Sequence, residues 1–229
     1  MKAVILAGGH GKRLRPLTED RPKPLVEVGG KPIIEWQIEW LKSYGVKTLV
    51  ILANYKRDVL INHLGSGEKF GIKTAFAIED GPLGTGGALK NAAHMMGSDE
   101  HFLVLNGDVI SNLDINSLKL GSEDVAALSL VPLKSPYGII QTDGSKITRF
   151  DEKPTLNEFW INAGIYLMSS KIFDYLPENG DMEKSAFPVL AKENRLAGIK
   201  FNSSYWRSVD TIKDLEETGK DILENKVWK

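Results

Sequence analysis

LAGGHGKRLRPLTEDRPKP, residues 6–24, is the stretch on which the reading of this chain turns. The four apolar residues that run into it, Ala3-Val4-Ile5-Leu6, have the length and character of a short buried strand. Gly8, Gly9 and Gly11 then let the backbone turn sharply and approach a ligand with no side chains in the way. Arg13, Arg15 and Lys23 add positive charge around that bare backbone. A strand running into a cationic glycine loop suits phosphate groups. The loop is neither of the two common phosphate loops. A dinucleotide fingerprint starting at Gly9-His10-Gly11 requires glycine where Leu14 stands. A P-loop requires Ser or Thr where Arg13 stands and an earlier glycine where Leu6 stands.

Outward from the loop, short apolar runs alternate with amphipathic stretches. Residues 46–53, 72–78 and 102–106 read as strands. Residues 33–43 read as a helix with Ile34, Ile38 and Leu41 on one face, and residues 57–64 and 85–95 are helical in pattern too. Such alternation predicts an α/β fold, with a largely parallel sheet covered on both faces. Ligands of these sheets bind beyond the carboxyl ends of the strands. The glycine loop after Leu6 and Asp108 after residues 102–106 both stand there, so one cleft can hold both. The second half changes character. Residues 125–131, 138–142, 147–151 and 160–167 are strand-like, Asp143-Gly144 signals a hairpin, and helices return at 171–176, 183–192 and 211–224.

A chain of 229 residues can bury a substantial core, and single α/β domains of this size are common. Its net charge of -1 gives no overall attraction to nucleic acid, so phosphate binding has to come from a local cluster. Zero cysteines exclude disulfides, thiolate catalysis and cysteine-ligated metals, and suit the cytoplasm. The opening apolar run is too short for a signal-peptide core, and no stretch approaches membrane-spanning length. A cytoplasmic protein with no membrane and no nucleic-acid partner is expected. His10, His63, His94 and His101 lack metal-ligand spacing.

Gly8–Thr18, GGHGKRLRPLT, followed by Arg21-Pro22-Lys23-Pro24, resembles the signature of the sugar-1-phosphate nucleotidyltransferases, GGxGTRLxPLT…PKP, with Lys12 in place of the usual Thr. Further family motifs follow in the family's order: Pro82-Leu83-Gly84-Thr85-Gly86-Gly87-Ala88, Leu105-Asn106-Gly107-Asp108 and Tyr137-Gly138. Phe150-Asp151-Glu152-Lys153-Pro154 and Asn162-Ala163-Gly164-Ile165-Tyr166 complete the series, so the resemblance runs from the start to about residue 190. It implies the nucleotide-diphospho-sugar transferase fold: a Rossmann-like three-layer α/β/α sandwich with a mostly parallel mixed central sheet. Residues 1–229 would form a single nucleotidyltransferase catalytic domain, with a nucleotide-binding half of about 1–110 and a sugar-binding half of about 111–229. Many relatives carry a β-helix after this core. This chain ends without room for one and so resembles the short members.

The reaction the resemblance implies is attack by a sugar 1-phosphate oxygen on the α-phosphorus of an NTP, with Mg²⁺ as cofactor and pyrophosphate leaving. Leu6, Ala7, Gly8, Gly9, Gly11 and Lys12 would cradle the nucleotide. Arg13 would lie along the β- and γ-phosphates, and Lys23 would reach the α-phosphate. Arg15 fits a structural or surface role equally well. Gly84 and Gly87 belong to the expected base-reading loop, with a side-chain contact from Glu79 or Asp80. Gly138, Glu152, Lys153 and Asn162 would bind the sugar phosphate. Asp108 would be a metal ligand, and Arg13, Lys23 and Asp108 the catalytic set. For the second metal carboxylate the chain departs from W-x-D-x-G-T, reading Trp206-Arg207-Ser208-Val209-Asp210-Thr211. Ser208 stands where Asp is usual and Asp210 where Gly is. Side chains two apart in an extended segment face one side, so Asp210 is the expected ligand, set against a helix N-cap role.

Mannose 1-phosphate and GTP are the first expectation for substrates, since the motifs look most like the guanylyltransferase branch. Thymidylyl or uridylyl transfer to glucose 1-phosphate, and transfer to a heptose or amino-sugar 1-phosphate, are the alternatives. From another class comes a non-catalytic, sugar-nucleotide-binding regulatory subunit. Known forms of that kind lose charged residues from the glycine loop, whereas Arg13, Lys23 and Asp108 are present here. The expected partners are the NTP and the sugar 1-phosphate, with self-association into a homo-oligomer left open.

Overall fold

Alternate side chains of β1 (Lys2–Leu6) go to opposite faces. Ala3 and Ile5 enter one hydrophobic core and Val4 another, all fully buried. A strand covered on both faces has to be central, which is why its apolar run is continuous. The computed structural model describes residues 1–97 and 100–228. After β1 come the short pair β2 (Glu27–Val28) and β3 (Lys31–Pro32), then α1 (Ile33–Ser43), β4 (Thr48–Ala53), α2 (Arg57–Leu64) and β5 (Lys73–Ile78). Next are α3 (Gly84–Asn91), β6 (His101–Asn106), β7 (Val109–Ser111) and β8 (Ala126–Lys134). The hairpin β9 (Ile139–Asp143) and β10 (Lys146–Asp151) leads to β11 (Thr155–Ser169) and α4 (Ala186–Lys192). The chain closes with β12 (Leu196–Lys200), β13 (Trp206–Ser208) and α5 (Ile212–Leu223).

Seven strands form the main sheet in the order β12-β8-β11-β6-β1-β4-β5. β11 alone runs antiparallel to its neighbours, and the other pairings are parallel. On one face Ile34, Ile38 and Leu41 of α1 and Leu60 and Leu64 of α2 pack with Ile5, Leu49, Ile51 and Leu103. On the other, Ala88 and Leu89 of α3 and Phe187 and Leu190 of α4 pack with Val4, Val50, Leu52 and Val104. The result is the three-layer α/β/α sandwich with a mostly parallel mixed sheet. From β1 the chain winds outward through β4 to β5, then returns so that β6 lies on β1's other side. That reversal opens a crevice at the carboxyl ends of β1 and β6. A smaller third cluster seats α5 against Val28, Ile33, Ile110 and Val209.

Several boundaries differ from the sequence expectation for identifiable reasons. A helix from residue 183 would put the ring of Pro188 against the carbonyl of Lys184. The helix starts at Ala186 instead, and Pro188 falls in the first turn, where no N–H is needed. Residues 170–174 form a 3₁₀ turn, and α3 ends at Asn91 before a separate 3₁₀ turn at Ala93–Met95. In the hairpin Asp143 pairs with Lys146, so the loop is Gly144-Ser145, with Gly144 at φ +56°. Among the described residues no helix is long and apolar enough to cross a membrane.

Candidate active site

Leu6 and Asn106 are register partners at the ends of β1 and β6. Gly107 donates its N–H to the Leu6 carbonyl at 3.0 Å. A Cβ on Gly107 would lie 2.6 Å from that oxygen and 3.1 Å from Pro24 Cγ, so only glycine lets the turn pass between them. Asp108 is thereby set beside the glycine loop. Gln37 of α1, 2% exposed, donates from Nε2 to the carbonyls of Asn106 (2.8 Å) and Val109 (2.9 Å) and clamps the turn on both sides of Asp108. The Val209 N–H donates to the Asp108 carbonyl at 2.9 Å, and β7 pairs antiparallel with β13, Ser208 opposite Val109. The segment carrying Asp210 is thus fastened to the segment carrying Asp108.

Four charged side chains meet there. Lys23 Nζ donates to Asp108 Oδ2 at 2.6 Å and to Asp210 Oδ1 at 2.8 Å. Arg13 Nη2 donates to the same Asp210 oxygen at 2.7 Å, and Ser208 Oγ donates to Asp210 Oδ2 at 2.7 Å. Lys23 is 12% exposed and Arg13 71%, so one cation is enclosed and the other stands at the mouth. Burial pushes the Asp210 carboxyl up. Hydrogen bonds from Lys23 and Ser208, with the charges of Lys23 and Arg13, outweigh burial and hold it below the usual carboxylate range.

Asp210 does not cap α5. Thr211 does, accepting the Asp214 N–H on its hydroxyl while the Asp214 carboxylate takes the Thr211 N–H. The Asp210 side chain is left facing Asp108 across one ammonium. Two hard carboxylates already bridged by a cation fit Mg²⁺, which takes one or two carboxylates and completes its shell with water and phosphate oxygens. Among the described residues no group of three or more His, Asp or Glu is arranged as a full metal cage.

The crevice has two lobes that share Gly9 and Asp108. One, of about 320 Å³, is lined by Leu6, Gly8, His10, Glu79, Gly84 and Thr85, among others. The other, of about 300 Å³, is lined by Gly11, Lys12, Arg13, Lys23 and Asp210. Gly11 sits at φ +59° with its Cβ position 2.9 Å from Thr18 Cγ2, so it is fixed as glycine by conformation and by space. Glu79 is 5% exposed, accepts the Leu83 N–H on Oε2, and places Oε1 3.1 Å from the Cβ position of Gly8. Asp80, its alternative, is fully exposed near Arg57.

Two expected nucleotide residues lie off the crevice. Ala7 is buried, with its N–H on the Leu52 carbonyl, and Gly87 gives its N–H to the Gly180 carbonyl. A Cβ on Gly87 would sit 2.7 Å from the Glu178 carbonyl, so packing against residues 178–180 accounts for that glycine. In the second half, Asn162 donates to the Tyr166 hydroxyl (2.8 Å) and accepts the Gly164 N–H (2.9 Å). Gly164 in turn abuts Asn106 in the crevice wall. Gly138 lies against Glu152, which pairs with Lys153 at 3.4 Å, and Lys153 has φ +46°. None of these four lines either lobe. Sequence reasoning missed Gln37, Asp181 and the bond from Ser208 to Asp210, and named Thr85 only as part of the Pro82–Ala88 motif. Thr85 and Asp181 line the larger lobe, where the Thr85 hydroxyl bonds Glu183 and accepts the Met182 N–H. Thr85 carried a signal through its motif, and the spacing from Ser208 pointed to Asp210 but not to the bond between them. The others depend on contacts between distant segments.

Fold and crevice together define an α/β protein with a cation-lined cleft at the reversal point of its sheet. The chain belongs to the nucleotidyl transferase family, whose model, described as Nucleotidyl transferase, matches residues 2–225. It is 41% identical over 227 residues to a mannose-1-phosphate guanyltransferase of Yarrowia lipolytica, with 93% of this chain aligned, and 38% identical over 228 residues to that of Saccharomyces cerevisiae. The chain spans 62% of the length of each of these relatives. Among solved structures it is similar to HddC from Yersinia pseudotuberculosis, at TM-score 0.74 and 30% identity, covering 96% of this chain and 99% of that one. HddC has also been solved in complex with GMP-PN.

Proposed function

We propose that this protein transfers a nucleotidyl group from an NTP to a sugar 1-phosphate, giving an NDP-sugar and pyrophosphate, with GTP and mannose 1-phosphate as its substrates. The observation that carries the reading is the cluster of Lys23, Arg13, Asp108 and Asp210 at the foot of the glycine loop. The substrate pair is supported by the mannose-1-phosphate guanyltransferase relatives at 38–41% identity. The cysteine-free, nearly neutral chain supports a cytoplasmic enzyme acting on small molecules.

The sugar phosphate oxygen forms a bond to the α-phosphorus as the bond to the bridging oxygen breaks, and pyrophosphate carries away the electron pair. The nucleophile is already an anion, so no side chain needs to act as a base. The protein's task is to bring two anions together and offset the charge that develops. Backbone N–H groups around Gly8, Gly9 and Gly11 cradle the triphosphate. Lys23 serves the α-phosphate and Arg13 the departing β- and γ-phosphates. Asp108 and Asp210 would hold Mg²⁺, which when bound supplies positive charge at the α-phosphate and leaving group. Glu79, buried beside the loop, offers a carboxylate oxygen to the base side of the crevice. Gly138, Glu152, Lys153 and Asn162 receive the sugar phosphate.

A matrix of GTP, ATP, UTP, CTP and dTTP against mannose, glucose, heptose and amino-sugar 1-phosphates, read by pyrophosphate release, tests the reading. Fastest release is expected with GTP and mannose 1-phosphate, with GDP-mannose found by mass spectrometry. Nucleotide binding with no release from any pair would overturn the enzymatic reading in favour of a regulatory subunit.

A further inference from the structure

Lys23 is anchored through its backbone, and its side chain, 12% exposed, reaches into the cluster. The segment Lys23–Leu25 is a 3₁₀ turn, tied by the Leu25 N–H to the Pro22 carbonyl (2.9 Å) and the Val26 N–H to the Lys23 carbonyl (3.0 Å). Its ammonium stands 2.6 Å from Asp108 Oδ2 and 2.8 Å from Asp210 Oδ1, on the oxygens a divalent cation would need. With Arg13 also on Asp210, two cations face two carboxylates and the cluster is neutral as it stands. A divalent cation arriving alone would meet Lys23 on both carboxylates. It would also add two positive charges to a neutral, partly desolvated site. A triphosphate arriving with the cation changes the balance, because its oxygens give Lys23 and Arg13 new partners as the carboxylates are released.

We propose that Lys23 is an internal placeholder for the divalent cation. In the ligand-free protein it holds Asp108 and Asp210 in position, and it exchanges them for phosphate when nucleotide and metal arrive together. The inference rests on the proposed function and adds to it that metal alone binds weakly because Lys23 competes for its ligands. Ser208 keeps the second Asp210 oxygen occupied, so Asp210 does not swing away while its partner changes.

The test is Mn²⁺ binding without nucleotide, read by the electron paramagnetic resonance of free Mn²⁺. Lys23→Met is expected to bind Mn²⁺ about tenfold or more tightly than wild type, about 1.4 kcal/mol, and Lys23→Arg to stay near wild type. The gain should vanish in Lys23→Met/Asp210→Asn. A measurement on the wild type covers any failure of the variants to fold. Acylation of Lys23 by an amine-reactive probe, followed by mass spectrometry, should accelerate as Mn²⁺ alone approaches saturation. Equal Mn²⁺ affinity in wild type and Lys23→Met, or an acylation rate indifferent to Mn²⁺, would overturn the placeholder while leaving the functional reading intact. Failure of the wild type to bind Mn²⁺ even with GTP would overturn that reading, and the placeholder with it.

Discussion

Lys23 and Arg13 touch the same Asp210 oxygen from different depths, and that difference sets what each substitution should do. In the proposed reaction both charges would oppose negative charge that grows during transfer, so replacing either with Ala should slow turnover more than it weakens nucleotide binding. Losses of about 2–4 kcal/mol, the scale of removing an oxyanion donor, are expected. Lys23→Ala should also lower thermal stability, because it leaves Asp108 and Asp210 facing each other with no cation between them. Arg13, 71% exposed, should leave stability nearly unchanged. Steady-state kinetics and melting curves check both, and a pure rise in the Michaelis constant would contradict the charge role. Much of this residue-scale arrangement was legible in the sequence, because Gly11, Arg13, Lys23 and Asp108 sit in motifs that resemble the family's signature. Asp210 was legible through the two-residue geometry of an extended segment. That Ser208 hydrogen-bonds Asp210 was not, since a hydroxyl's partner depends on rotamer and register.

Gln37 shows how an element governs the site without entering it. From the buried face of α1 it supplies both donors to the turn around Asp108, and its own Oε1 has no partner. Gln37→Leu should therefore strand the carbonyls of Asn106 and Val109, costing about 1–3 kcal/mol of stability per group left unsatisfied. Asp108 should be displaced with them, so turnover should fall as well. Denaturant unfolding and pyrophosphate release check this, and wild-type values in both would show that the clamp is dispensable. Within α1 the sequence was fully readable, because Ile34, Ile38 and Leu41 repeat at helical spacing. Gln37 drew no reading from the sequence, because its role is set by the turn between β6 and β7, some seventy residues away. β2, β3, β7 and β12 escaped notice for the same cause. At two to five residues each, they are defined by a partner strand rather than by their own pattern.

Across the whole molecule, packing leaves a signature in the tyrosines. Burial pushes Tyr205, whose hydroxyl donates to Asp221, up to about 12, and raises Tyr166 as well although Asn162 donates to its hydroxyl. A raised tyrosine value favours the neutral form in the folded state. The stability this provides is complete below the ordinary value of about 10 and is lost as pH rises toward the folded value. Phenolate absorbance should accordingly show Tyr166 and Tyr205 ionising above the ordinary tyrosine value, and only as the fold opens. Ionisation of Tyr166 and Tyr205 near the ordinary value would contradict the packing described. The most direct measurement concerns Asp210, the carboxylate proposed as the second metal ligand. Pyrophosphate release from GTP and mannose 1-phosphate, followed against Mg²⁺ concentration for wild type and Asp210→Asn, reads it. The expected result is a markedly higher Mg²⁺ requirement and lower turnover in Asp210→Asn, with no release by wild type in excess chelator. Superimposable Mg²⁺ curves for the two proteins would contradict the assignment of Asp210 and the site built around it.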